Sequence, residues 1–174
     1  MKIAPEGNII LYPLAVTWFL SIVVGYVYSL NGIYIIIGIL TVLLIFCLNF
    51  FRDPDRIIPK KDNLIISPAD GRIIKIADIV DQKGGEKLKL ISIFLSVFNV
   101  HTNRMPIDGK FNDVNYVKGD FLAAFDHKAS DKNERMEISI ETKFGLIKVK
   151  QIAGLVARRI LCYAKKGEKM SAGD

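Results

Sequence analysis

The sequence holds two histidines, His101 and His127, and histidine is the side chain best suited to moving protons near neutral pH. His101 follows an apolar run, residues 91–100, and precedes Thr102-Asn103-Arg104-Met105-Pro106. A buried strand gives way to a polar loop there, and loop side chains can reach a cleft. Position alone leaves His101 open between a structural and a functional role. His127 sits in Phe125-Asp126-His127-Lys128, a charged stretch that reads as solvated surface. Asp70 lies in Ser67-Pro68-Ala69-Asp70-Gly71, a tight turn in which an aspartate ordinarily caps local backbone.

Other chemistries lack their parts. There is no Gly-x-Ser-x-Gly elbow, so a serine hydrolase using Asp70 and His101 has no convincing nucleophile. No glycine-rich loop cradles phosphate, and no Cys/His spacing suits a metal, so no metal site is expected. The two cysteines, Cys47 and Cys162, fit neither a disulfide framework nor zinc, in keeping with a reducing compartment.

The elements that must position these residues begin with an apolar pair. Residues 9–30 and 33–51, runs of 22 and 19, carry no charge, and each approaches the roughly 20 residues that cross a bilayer as helix. Only Asn31 and Gly32 separate them, which predicts a transmembrane helical hairpin over 1–51. Pro13 near the start of the first run is placed where a missing amide costs least. Trp18, Tyr26, Tyr28 and Tyr34 supply aromatic anchors. A signal peptide fits badly, since both runs are too long and no cleavage site follows. A buried core hairpin is the competing reading.

Charge is segregated. All but one of the 24 Lys and Arg residues, and all but one of the 18 Asp and Glu residues, lie beyond residue 51. Arg52, Arg56, Lys60 and Lys61 crowd the end of the second run, which places that flank, and the β domain, on the cytoplasmic side of the cell membrane. A basic face there attracts anionic headgroups. No helix-reading motif or aromatic–basic array points to nucleic acid.

A proline-punctuated linker, 52–62, leads into a β-rich domain over 63–174. Strands are expected at 64–67, 72–79, 88–95, 109–117, 135–142, 146–152 and 158–163, with a short helical stretch near 121–132. Seven short strands at such spacing predict an antiparallel sandwich or barrel. Residues 165–174 read as turn-rich with no closing strand, so the domain is expected to be incomplete without further chain.

Four segments then carry a resemblance: Phe51-Arg52-Asp53-Pro54, Ser67-Pro68-Ala69-Asp70-Gly71-Arg72-Ile73, Phe98-Asn99-Val100-His101-Thr102-Asn103-Arg104-Met105-Pro106 and Asn133-Glu134-Arg135. In this order, behind an apolar hairpin, they resemble the signatures of the phosphatidylserine decarboxylases. The closer likeness is to the short form, which includes the archaetidylserine decarboxylases. The resemblance implies a hybrid-motif-like β fold, as in lipoyl and biotinyl carriers. It implies a proenzyme that cuts itself at a Gly-Ser motif, leaving a pyruvoyl group on a small α chain. This sequence contains no Gly-Ser, so that site is expected just beyond Asp174 and this chain corresponds to the β portion. No residue here would carry the cofactor.

The implied reaction is decarboxylation of a serine phospholipid to the ethanolamine lipid. The pyruvoyl ketone condenses with the headgroup amine and takes up the electrons released with CO2. By the resemblance His101 is the proton donor to the α-carbon, and Asp70 belongs to the group assisting self-cleavage. Longer members have a second histidine where this chain has Arg104. An arginine cannot act as that base, so the self-cleavage base is open; Arg104, with Asn103, is instead a candidate for binding the substrate phosphate or carboxylate. The residues leave acyl or isoprenoid tails undecided, and the family suggests a homodimer of αβ units. The alternative is a non-enzymatic, membrane-tethered β domain that binds a partner or carrier.

Overall fold

The computed structural model describes residues 2–29, 31–59, 61, 63–81, 85–123 and 129–174. His127 therefore lies outside the described residues. After β1 (Lys2–Ile3) and a 3-10 turn (Pro5–Gly7), helix α1 (Asn8–Tyr28) runs against helix α2 (Ile33–Phe50). Ser29 ends α1 in the left-handed conformation at φ 49°, its amide bonded to the Gly25 carbonyl at 3.0 Å. Two features tie the helices together. Trp18 Nε1 donates to Thr41 Oγ1 at 2.8 Å, so this indole clasps the two helices together. Gly25 admits Ile33 so closely that a Cβ would stand 2.8 Å from that side chain, the usual reason for a small residue where helices meet.

Helix α1 also starts earlier than its proline suggested. Pro13 lies inside the helix, five residues past its start, and without an amide hydrogen it cannot bond the Ile9 carbonyl. Only Leu11 and Gly25 are buried in α1 and none of α2 is. The rest of the described chain therefore leaves the helical pair largely uncovered. Both helices are long and apolar enough to be candidate membrane spans.

The remainder is mainly β, in antiparallel sheets. The linker contributes β2 (Arg52–Asp53), which pairs with β1 and brings the chain's start back to the end of α2. Strands β3 (Arg72–Val80) and β4 (Lys87–Phe94) form a hairpin. A four-stranded sheet follows in the order β7-β6-β5-β8, from β5 (Gly109–Val117), β6 (Arg135–Thr142), β7 (Gly145–Ile152) and β8 (Lys169–Met170). Register shifts at Ile73/Lys75 and Phe111/Asp113 mark bulges in the β3–β4 hairpin and in the four-stranded sheet. Lys148 and Asp81 link the two sheets through an ion pair at 2.6 Å. The core is Met105, Phe111, Ile138 and Ile140, joined by Val114, Met136, Val149, Cys162, Ala164 and Met170.

Three expectations need correction. Residues 64–67 form no strand, though the Ile66 amide bonds the Pro106 carbonyl at 2.9 Å. Residues 158–163 form none either. Around their end the side chains alternate as in a strand, Cys162 and Ala164 on the core and Leu161 and Tyr163 outward, yet the backbone joins no ladder. Residues 165–174 do contain a strand, β8, paired with Gly109 and Lys110. The helical stretch narrows to α3 (Ala129–Lys132), with Phe121–Leu122–Ala123 irregular and 124–128 outside the described residues.

Candidate active site

The site begins where α2 ends. Phe51 caps the helix, and its carbonyl accepts the Ala4 amide at 2.8 Å. Arg52 turns back on the helix, donating to the Asn49 carbonyl at 2.8 Å and to the Asn49 side chain. Its other Nη donates to the Phe98 carbonyl at 2.8 Å. One guanidinium therefore fastens the loop after β4 to the helix terminus. That loop is held in shape by Asn99, whose Oδ1 accepts the Ser96 amide and hydroxyl, both at 2.8 Å. His101 is placed directly beside it.

The imidazole stacks on Phe50, ring centroids 4.2 Å apart. Its Nδ1 lies 3.0 Å from the Asn99 carbonyl, which requires the proton on that nitrogen in the neutral ring. Nε2 then carries the lone pair, and among the described residues it has no hydrogen-bond partner. Burial pushes the His101 pKa below its ordinary value and nearby Arg52 adds to this, while the Asn99 carbonyl opposes it. The result is a half-buried imidazole with one nitrogen fixed and the other available for proton exchange.

The segment before Asp70 pairs through its backbone with the segment after His101. The Arg104 amide bonds the Pro68 carbonyl at 2.8 Å, beside the bond between Ile66 and Pro106. The 66–68 and 104–106 segments thus run together, with Asp70 and His101 a few residues outward on each. Ser67 Oγ donates to the Ala69 carbonyl at 2.7 Å, shaping the turn. Gly71 passes so close to β4 that a Cβ would stand 2.5 Å from the Phe94 carbonyl oxygen, so no larger residue fits there. Asp70 itself is ion-paired with Arg56 of the linker.

Arg104 is heavily engaged. Its guanidinium donates to Asp53 Oδ1 at 2.5 Å, the Gly173 carbonyl at 3.2 Å and the Pro54 carbonyl at 3.3 Å. The Met105 amide bonds the Asp174 carbonyl and the Gly173 amide bonds the Met105 carbonyl, both at 2.8 Å. Residues 173–174 therefore lie alongside the loop that follows His101. Asn103 is exposed. A concavity of about 640 Å³ lies elsewhere, over the start of β5, the end of β6 and β8, and His101, Asp70, Asn103 and Arg104 are not among its lining residues.

One residue was undervalued in the sequence. Asn133 is fully buried. Its Nδ2 donates to the Leu122 and Ala153 carbonyls at 2.9 and 2.8 Å, and its Oδ1 accepts the Leu122 amide at 2.9 Å. It clamps the irregular 120–122 segment to the end of β7. The only hint was its place in Asn133-Glu134-Arg135.

A mainly antiparallel β protein with two apolar helices and a half-buried histidine at their junction invites comparison with known proteins. The phosphatidylserine decarboxylase family model matches residues 43–174. The phosphatidylserine decarboxylase proenzyme of Chlorobaculum parvum is 41% identical over 174 residues, all of this chain and 81% of the relative. That of Chlorobaculum tepidum is 39% identical over 173 residues, 99% of this chain and 80% of the relative. The Geobacter metallireducens proenzyme is 47% identical over 137 residues, 78% of this chain and 62% of the relative. The class is therefore an enzyme, a carboxy-lyase of phospholipid biosynthesis made as a proenzyme. The chain belongs to the phosphatidylserine decarboxylase family. That sets aside the alternative of a non-enzymatic tethered domain.

Proposed function

We propose that this chain is the β portion of a membrane-bound decarboxylase that converts phosphatidylserine, or archaetidylserine, to the corresponding ethanolamine lipid. The observation that carries the reading is His101 stacked on the last residue of α2, with Nε2 available and its loop fastened to the helix by Arg52. The relatives' names supply the substrate and the proenzyme. In this reading 1–51 is the anchor, 52–62 the linker and 63–174 the catalytic domain. The all-round apolar surface of α1 and α2 suits lipid rather than water. Arg52, Arg56, Lys60 and Lys61 favour the cytoplasmic side for the β domain.

The cofactor is a pyruvoyl group on a small α chain cut from the same proenzyme at a Gly-Ser bond, and that chain completes the sandwich or barrel. It supplies a carbonyl that accepts the electrons released with CO2. The residues present fit such a group, because its chemistry needs a nearby proton donor and His101 keeps one nitrogen unclaimed. This chain's own contribution is placement and proton handling. Asn99 fixes the imidazole through Nδ1, so Nε2 is the nitrogen that would take up a proton, forming the imidazolium, and pass it to the α-carbon. Phe50 shields one ring face and sets its height at the lipid boundary. Asp70, held by Arg56, serves the self-cleavage step. Arg104 and Asn103 are the candidates for the substrate's anionic groups, although Arg104 must share its fork with Asp53 and Gly173. Two αβ units form the dimer in this reading.

The test is direct. The intact gene product, purified from membranes, should run as two pieces on a denaturing gel, the smaller trapped by borohydride in the presence of amine. It should release CO2 from serine phospholipid vesicles. A single full-length band that is nonetheless active, without a reducible carbonyl, would sink the proposal.

A further inference from the structure

Residues 143–167 carry seven Lys or Arg and no Asp or Glu. The second half of that stretch is the irregular segment where a strand was expected. It lays Cys162 and Ala164 on the core and turns Leu161, 58% exposed, and Tyr163, 71% exposed, outward. Arg158, Arg159, Lys165 and Lys166 are exposed around them. Apolar side chains interleaved with cations on one exposed stretch suit an anionic lipid interface, where rings and aliphatic groups enter the boundary and cations meet headgroups.

Position supports the same occupant. Tyr163 Oη donates to Glu6 Oε1 at 2.9 Å, and Glu6 lies in the turn that leads into α1. The adjoining Gly7 packs on Phe51, so tightly that a Cβ would stand 2.5 Å from its ring. Phe51 in turn meets Phe50, ring centroids 5.1 Å apart. The segment is thus fastened at the end of the helical pair that also bears His101. Phe98, 69% exposed, is held to that same end by Arg52. The nearby acids are Glu6, which accepts the Tyr163 hydroxyl, and Glu168, which accepts the Lys165 amide at 3.3 Å, two carboxylates against four cations.

We infer that Leu161 and Tyr163, with Arg158, Arg159, Lys165 and Lys166, form a second membrane contact that docks the β domain flat on an anionic lipid surface. This rests on the reading of α1 and α2 as membrane spans. The hairpin fixes the domain to the membrane, and this contact sets its tilt, which brings the Nε2 face of His101 level with headgroups. A serine phospholipid is itself anionic, so the contact favours membranes rich in substrate.

The test uses the full-length processed protein in lipid nanodiscs, with Cys47→Ala and Cys162→Ala, and CO2 release to verify the fold. A polarity-sensitive fluorophore is attached through Leu161→Cys, through Val42→Cys on α2, or through Phe144→Cys at the β6–β7 turn. Lipid-borne nitroxide should quench the labels at positions 161 and 42, and aqueous iodide should quench the label at 144. Replacing anionic lipid with phosphatidylcholine should release the label at 161 to iodide while leaving that at 42 unchanged. Neutralising Arg159, Lys165 and Lys166 to Gln should do the same, since each surface cation contributes about fivefold to lipid attraction. Iodide quenching at 161 in anionic discs, with 42 still in lipid, overturns the inference and leaves the spans standing. Shielding of 161 from both quenchers means protein covers it and also overturns the inference. A label at 42 that reaches iodide overturns both readings.

Discussion

The rings of Phe50 and His101 lie 4.2 Å apart at centroid and 30° from parallel. Phe50 closes α2, whereas His101 lies midway along the loop between β4 and β5. The helix terminus and the imidazole thus form one packed unit, and Arg52 repeats the connection through the Phe98 carbonyl. Any tilt of α2 is felt at the proton-carrying nitrogen. In the proposed mechanism this coupling would fix the depth at which the imidazole works.

His101→Ala should abolish CO2 release, with a loss on the order of 10²–10⁴-fold, the range for a positioned acid or base. Phe50→Ala keeps the imidazole but frees it, and should cost about 100-fold or less in kcat. Single-turnover CO2 release measures both. Near-normal turnover by His101→Ala removes that residue from the mechanism.

The same burial has a pH consequence. Because the His101 pKa is depressed below 6.5, the protonated donor is lost as pH rises through a value lower than an ordinary histidine's. The alkaline limb of kcat/KM should therefore lie below 6.5. Arg52→Gln removes a positive neighbour and should move that limb upward. Stability runs the opposite way, because the folded state binds the proton less readily than the unfolded one. The neutral histidine's contribution is complete above 6.5 and is lost as pH falls through the depressed value. Parallel pH profiles of rate and melting temperature for the two proteins check this, and an unmoved limb would assign it to another group.

Asn133→Ala should destabilise the protein without touching the chemistry directly. It strips partners from the Leu122 amide, the Leu122 carbonyl and the Ala153 carbonyl. A buried polar group left unpaired costs roughly 1–3 kcal/mol, and of the three only the Ala153 carbonyl is fully buried, so a loss of about 1–3 kcal/mol is expected. Denaturant unfolding measures it, and a shift below ~1 kcal/mol would mean that water replaces the amide.

Much of this architecture was legible in the chain, and the exceptions have physical causes. The helices announced themselves because charge is absent over two long runs, and β3 to β7 because apolar alternation is bounded by glycine turns. Residues 158–163 misled because an extended chain lying on a core shows strand-like alternation whether or not its backbone is paired. Strand β8 was hidden because two residues, Lys169 and Met170, carry no periodicity. The role of Asn99 was local and within reach, its side chain bonding three residues back. The partners of Arg104 were not, since Asp53 and Gly173 lie 51 and 69 residues away. The burial of Asn133 depends on three segments meeting, which no window of sequence displays.

Arg104 offers the sharpest discrimination between a structural and a substrate role. Its guanidinium joins the linker at Asp53 and Pro54 to the chain at Gly173, with about a quarter of each side chain of the Arg104–Asp53 pair exposed. A planar fork can serve three acceptors at once, whereas lysine presents a single point charge. Arg104→Lys should therefore behave nearly as badly as Arg104→Gln in thermal stability, each losing about 1–3 kcal/mol. Asp53→Asn should lose a similar amount, and the double variant should lose less than the sum, since the two residues share one interaction. If the fork also holds the lipid's phosphate or carboxylate, Arg104→Gln should raise KM well beyond Asp53→Asn, because only the former removes the cation. Equal KM changes in the two variants would confine Arg104 to tying the linker to Gly173.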